Sequence, residues 1–375
     1  MQSAERRFAL FILAIFLAVN TALIAAAAAS WSSLVPDFFG FWSTAQFLQT
    51  HEAAQAYDIH QLAAFQHALR PDFTVIYPAP YSPVFLLAIR PLAWMSAGWA
   101  QLAWVGLTFT AFAGAAFAAL RQRDLMALLL LSPLMALNAI YGQTGLLTAA
   151  LMIGAVLLPP ARPWLAGLCM ALLSFKPQLG LLMPVMLLAR RDWFTIAATV
   201  AWLLALIVLT SAILGWTIWW DWILTLAGHG DLIALNRDHM VGIMTTVTSA
   251  ALSLGASLGF AQVVQIIAAI VITTIIWFAW RRAHQDLATA ATWIGGFLVT
   301  PYAFVYDTPV AICAALLFLR HCRKQGELPA TDLMAVLFVL IAPLFILTAP
   351  PQPPAAPLAL LILVAAITRR MFRPA

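Results

Sequence analysis

"MQSAERRFALFILAIFLAVNTALIAAAAAS", residues 1–30, decides how the remainder of the chain is read. Its charged start, apolar core and alanine-rich end imitate a secretory signal peptide. The apolar run is, however, roughly 20 residues long, enough to cross a hydrocarbon layer, and comparable runs recur as far as Arg370. The stretch therefore reads as a retained first membrane helix, entering from the cytoplasm because Arg6 and Arg7 precede it. The whole composition agrees: of 375 residues 64% are hydrophobic and 9% charged, with a mean hydropathy of +0.94, whereas a soluble domain carries about a quarter charged residues.

Working outward, apolar segments fall near 8–29, 81–95, 98–119, 125–138, 145–158, 163–189, 194–215, 262–280, 286–300, 308–320, 331–349 and 355–369. They predict an all-α polytopic membrane protein of about 12 transmembrane helices, a single domain over residues 1–375. Basic clusters at Arg121/Arg123, Arg190/Arg191, Arg281/Arg282, Arg320 to Lys324 and Arg369 to Arg373 belong in the cytoplasm. That leaves a first outer loop, 30–80, and a second long one, 216–261, with both termini cytoplasmic in the inner membrane. "HEAAQAYDIHQLAAFQHALR" (His51–Arg70) fits one or two helices lying at the surface, and "MVGIMTTVTSAALSLGASLGF" (Met240–Phe260) fits a surface or re-entrant helix, since a span there would put Arg281 and Arg282 outside. The middle stays open: either 81–95 is half-inserted and 163–189 is two short spans broken at Lys176-Pro177, or 81–95 crosses and 163–189 is one kinked span.

The net charge of +5 is distributed as topology signals beside apolar runs, which argues against nucleic acid as a partner. Cys169, Cys313 and Cys322 lack metal-type spacing and suit small core positions. Tryptophans such as Trp31, Trp42, Trp99, Trp164, Trp193 and the run "WTIWWDW" (Trp216–Trp222) read as interface belts. No phosphate-cradling G-x-x-x-x-G-K-[ST] or G-x-G-x-x-G loop occurs, so ATP-driven and soluble nucleotide-sugar chemistry are unsupported.

An ionisable group in or beside an apolar run needs a partner or a wet cavity. Five places meet that description: Asp37 in "LVPDFFGFW"; "VIYPAPYSPVF", with Tyr77 and Tyr81; "NAIYGQTG", with Gln143; "LLSFKPQLG", with Lys176 and Gln178; and "TPYAFVYDTPVA", with Tyr302, Tyr306 and Asp307. Each also has a plainer reading. Asp37 and Asp307 suit helix N-caps, the prolines suit a helix entry, Gln143 suits an interhelical hydrogen bond, and Lys176 could snorkel to an interface. Together they place a carboxylate, a cation and several hydroxyl and amide groups among apolar spans. A carboxylate at the outer face can act as general base on an alcohol, and positive groups can stabilise a departing phosphate. Sugar transfer from a lipid phosphate by single displacement needs those two things and no second, nucleophilic carboxylate.

The ordered succession "PDFFGFW", "AYDIHQ", "YPAPYSPVFLLAIRPLAWM", "YGQTGLLTAALM", "AGLCMALLSFKPQLGLLMPVMLLARRDW" and "TPYAFVYDTPVA", over roughly residues 30 to 310, resembles the bacterial glycosyltransferases of family 87, which have the GT-C fold. The resemblance implies an enzyme of the outer, periplasmic membrane face that takes a hexose, typically mannose, from a polyprenyl-phosphate sugar and adds it, with inversion, to a glycolipid or glycan acceptor. It places the base at Asp37, in the first outer loop. It matches Lys176 to a Lys-Pro position, Gln143 to a Gly-Gln position, and Tyr302, Tyr306 and Asp307 to a late Pro-Tyr/Tyr-Asp position. It makes 216–261 the segment that closes over donor and acceptor, with Arg237 and His239 as donor-phosphate contacts beside Lys176. Tyr77, Tyr81, Gln143, Gln178, Tyr302, Tyr306 and Asp307 are expected to line the substrate cavity. Many relatives work without a metal and the outer acids here form no D-x-D pair, so no metal and no cofactor are expected. Two other readings use the same residues: a transporter or flippase of a lipid-linked sugar, and a catalytically inactive assembly partner.

Overall fold

The structure is a computed structural model describing residues 3–29, 37–72, 75–159, 161–235, 237–347 and 352–372, without the side chains of 3–9 and 227–239. Every regular element among the described residues is helical. Among the described residues, five helices are long and apolar enough to cross a membrane: Leu10–Ala29, Ala97–Leu120, Trp193–Leu214, Leu258–Arg282 and Ala330–Leu347; Arg123–Leu130 and Pro133–Tyr141, bent by 46°, form a sixth if taken as one broken span. These are the helices of a membrane protein, and among the described residues fewer of them are of full crossing length than the count of apolar segments predicts.

The shortfall comes from broken segments. Residues 81–95 hold only the helix Pro83–Ile89 and the tight turn Arg90–Trp94, and 7 helical residues reach about 10 Å, well under the ~30 Å of a bilayer core. The 163–189 segment is interrupted: Pro163–Leu172, then tight turns Leu173–Phe175 and Pro177–Gly180 around Lys176, then Leu182–Arg190. Pro177 lacks an N–H and disfavours helix at the residue before it, so the break falls where the sequence allows. The stretch 240–260 likewise holds no crossing. Arg237–Ile243 and Val247–Ser253 are 7 residues each, and Gln265 ties this region down by accepting from the Thr248 N–H and donating to Leu298 O.

Two helices, Gln285–Leu298 and Pro309–Lys324, pack on one another and are buried nearly all round, as expected of apolar helices at the centre of a bundle. The pairs Ala97–Leu120 with Gly145–Leu157 and Ala330–Ile341 with Ala355–Met371 pack against them, and Pro163–Leu172 with Trp193–Leu214 forms a further pair that joins through Gly145–Leu157. Between residues 37 and 72, Ile59–Leu69 has an exposed face, but Phe38–Thr50 is not a surface helix: Phe38, Phe41, Ser43, Thr44 and Phe47 are buried.

The two ends of the bundle differ. At the basic end, Arg320 donates to Ala119 O and Leu120 O at 2.5 and 2.9 Å and to Asp286 at 2.9 Å, satisfying carbonyls that a helix C-terminus leaves open. Arg323 meets Asp124 at 3.0 Å, and Arg370 meets Asp332 at 2.5 Å. At the other end the helices stop short, and their interruptions face one another.

Candidate active site

Three interruptions meet in one layer. Pro133–Tyr141 ends at Gly142, in the left-handed region at φ 63°, where glycine has no steric penalty. Gly145, opening the next helix, lies so close to Tyr306 O that an added Cβ would be 1.8 Å from it. Asn138 Nδ2 donates to the same carbonyl at 3.0 Å. Tyr306 belongs to the tight turn Val305–Asp307 preceding the central helix Pro309–Lys324. Asp307 in turn accepts from Lys176 Nζ through both oxygens, at 2.6 and 2.9 Å, inside the 163–189 break. Irregular backbone inside a membrane domain is tolerated where protein buries it or where it lines a cavity, and here it does both.

Two cavities open against this layer. The first, about 460 Å³, is lined by Asp37, Thr44, Tyr77, Tyr81, Gln143, Tyr302, Phe304 and Tyr306, with Met240 and Ile243 from the 237–243 helix. The second, about 490 Å³, is lined by Tyr81, Lys176, Gln178, Trp222, Thr300, Tyr302, Phe304 and Tyr306. Tyr81, Tyr302, Phe304 and Tyr306 line both, so the two cavities adjoin. Ring contacts stiffen this shared lining: Tyr302 meets Phe304 edge-on at 4.9 Å, and Phe304 stacks on Tyr306 at 5.1 Å.

Asp37 occupies the N-cap position of Phe38–Thr50, yet its side chain makes no capping hydrogen bond. Its carboxylate instead accepts from Gln143 Nε2, a residue 106 positions away. Gln143 is 6% exposed, so the plain interhelical-bond reading of Gln143 and its cavity reading hold together. Asp307 is different: it does not cap the following helix, is 1% exposed, and is neutralised by Lys176, itself 4% exposed. The ammonium also lies 4.8 Å from the Tyr306 ring centroid and 5.8 Å from that of Tyr81, within cation–π range. Lys176 thus neither snorkels nor stands as a lone cation. The Tyr77 and Tyr302 phenols are pushed above their ordinary range by burial, and secondarily by Asp37 and Asp307 respectively, so both keep their protons as donors.

The sequence-selected residues therefore divide. Asp37, Tyr77, Tyr81, Gln143, Tyr302 and Tyr306 share the first cavity. Lys176 and Gln178 sit in the second, and Asp307 lies behind Lys176. The side chains of Arg237 and His239, like those of Arg6 and Arg7, lie outside the described residues. Trp222 and Phe304 were not selected. Trp222 sits in a run that reads as a belt, but helical phase turns it inward: Trp216 and Trp220 are 77% and 62% exposed, Trp222 8%, and its Nε1 donates to Pro80 O at 3.0 Å. Among the described residues, the groups near enough to share a metal ion are His284, Asp286 and His321, at the basic end, where Arg320 already pairs with Asp286.

The sequence model of one protein family, glycosyltransferase family 87, matches residues 79–305, more than half of the chain. The chain belongs to glycosyltransferase family 87. It is accordingly a glycosyltransferase. The matched stretch contains Tyr81, Gln143, Lys176, Gln178, Arg237, His239 and Tyr302, whereas Asp37, Tyr77, Tyr306 and Asp307 fall outside it. No curated protein and no solved structure matches the chain.

Proposed function

We propose that this glycosyltransferase moves a hexose, mannose by the family resemblance, from a polyprenyl-phosphate donor to a lipid-linked or glycan acceptor, at the outer face of the cytoplasmic membrane. The observation carrying the proposal is the setting of Asp37: a carboxylate on the wall of an aromatic cavity, oriented by a buried amide and not engaged in capping. In the reaction an acceptor hydroxyl gives its proton to Asp37 as its oxygen bonds to the anomeric carbon. The bond from that carbon to the phosphate oxygen breaks, and the electron pair leaves with the lipid phosphate. A single displacement inverts the anomeric configuration, and no second carboxylate is needed as nucleophile. Asp307 is unsuited to that second role, being held by Lys176.

The same pairing moves the donor phosphate away from Lys176. Arg237 and His239, on the helix that brings Met240 and Ile243 to the first cavity, are the proposed phosphate contacts. The outer-face placement is supported by the basic residues Arg320, Arg323, Arg369 and Arg370 gathered at the end opposite the cavities. The reaction is proposed to need neither metal nor cofactor. The test uses purified protein, a radiolabelled polyprenyl-phosphate hexose and membrane lipids. Wild type should transfer label, and Asp37→Asn should retain donor binding while losing transfer. Equal transfer by both proteins would remove Asp37 from the reaction.

A further inference from the structure

The second cavity is chemically unlike a phosphate site. Its one described cation, Lys176, faces both oxygens of Asp307, with side chains 5% and 2% exposed. A phosphate drawing Lys176 away would leave a buried, uncompensated carboxylate beside a second anion, which is unfavourable on both counts. Taken as a unit, the pair presents no net charge. Around it stand the rings of Tyr81, Trp222, Tyr302 and Tyr306 and the half-buried Gln178, whose amide makes no hydrogen bond within the described residues. Trp222 is held from two sides, by its bond to Pro80 O and by Trp219 packed edge-on at 5.5 Å, so it is a fixed aromatic surface. Aromatic faces carry negative electrostatic potential and attract polarised C–H groups. An unused amide supplies donors and an acceptor to hydroxyls. A neutral sugar ring has both kinds of partner.

The cavity's surroundings say what carries the sugar. Pro177 and Leu181 line it and also line an apolar groove of about 390 Å³, continued by Met170, Leu187 and Leu203 between the broken segment and Trp193–Leu214. The cavity adjoins the one lined by Asp37, the two sharing Tyr81, Tyr302, Phe304 and Tyr306, so a sugar seated here borders the base. Resting on the glycosyltransferase reading with Asp37 as base, we infer that the Lys176–Trp222 cavity seats the acceptor, a neutral hexose carried on a lipid chain that lies in the adjoining groove, and does not seat the donor phosphate.

The experiment measures binding, so that it reads independently of transfer. The full chain in lipid nanodiscs free of glycosidic detergent is titrated with a neutral alkyl hexoside and, separately, with a short prenyl monophosphate, at low and high salt. Wild type should bind the hexoside with an affinity indifferent to salt, as befits an uncharged ligand. Gln178→Ala or Trp222→Ala should weaken that binding about tenfold, the scale of one well-placed polar or ring contact, and leave prenyl phosphate within about twofold. Gln178→Ala, at a half-buried position, guards against a folding defect in the tryptophan variant. Absence of hexoside binding by wild type, unchanged hexoside affinity in both variants, or an equal or larger loss of prenyl phosphate binding would each overturn the inference. If hexoside binding behaves as expected but Asp37→Asn transfers normally, the acceptor seat stands and the assignment of the base fails.

Discussion

Asp37 and Asp307 are the same side chain in two settings, one lining a cavity and the other enclosed behind Lys176. Asp37 is partly exposed, lines a cavity and is held by a neutral amide. Asp307 is enclosed and held by an ammonium through both oxygens. Gln143 orients the Asp37 carboxylate toward its cavity, whereas Lys176 cancels the charge of Asp307. The difference teaches that the count of acids in a membrane enzyme says little about the number of bases. What each acid touches decides its use: Asp37 opens on a cavity, as the proposed base must, and Asp307 joins two breaks in the backbone.

Four measurements sharpen or break that contrast. The largest effect belongs to Asp37→Asn, which should lower transfer by about 10²- to 10⁴-fold while leaving the thermal unfolding midpoint near that of wild type. A large fall in that midpoint would make Asp37 structural. Asp307→Leu should do the reverse, because it strands a buried ammonium and should destabilise the fold by about 3–5 kcal/mol. Adding Lys176→Met to it should return most of that stability, since a buried pair is often replaceable by apolar groups, and a double variant no more stable than the single would refute the pairing argument. Gln143→Leu removes the amide that orients Asp37, and losing one hydrogen bond to a charged group should lower transfer by about 10- to 100-fold, with donor binding kept. EDTA should change nothing; activity lost on chelation and restored by magnesium or manganese would reject metal independence.

Much of the architecture could be read from residues alone. The helices Ala97–Leu120, Trp193–Leu214 and Leu258–Arg282 fall within a few residues of the runs at 98–119, 194–215 and 262–280, because a long apolar run has few alternatives in lipid. The open choice at 81–189 resolves toward breaks, with 81–95 too short to cross and 163–189 divided at Lys176-Pro177. What composition could not supply was pairing. Gln143 finds Asp37 across 106 residues, and Lys176 finds Asp307 across 131, distances at which no local pattern operates. The expectation of Lys176 as an available cation followed from its apolar flanks, and only its three-dimensional neighbour shows the charge to be met. Trp222 was hidden for another reason. A run crowded with aromatics blurs the helical phase that separates the inward ring from the outward ones.

Between the 240–260 stretch and the lining shared by the cavities lies a small backbone join: Thr245 N–H donates to Ala303 O at 2.9 Å, within an antiparallel bridge of Met244 with Phe304. Since main-chain atoms alone make this stitch, drift in side-chain identity along 244–245 and 303–304 need not loosen it. The segment carrying Met240 and Ile243 is thus moored to the cavity lining by its main chain, so substitutions along it can recast the cavity's chemical face while the mooring is kept.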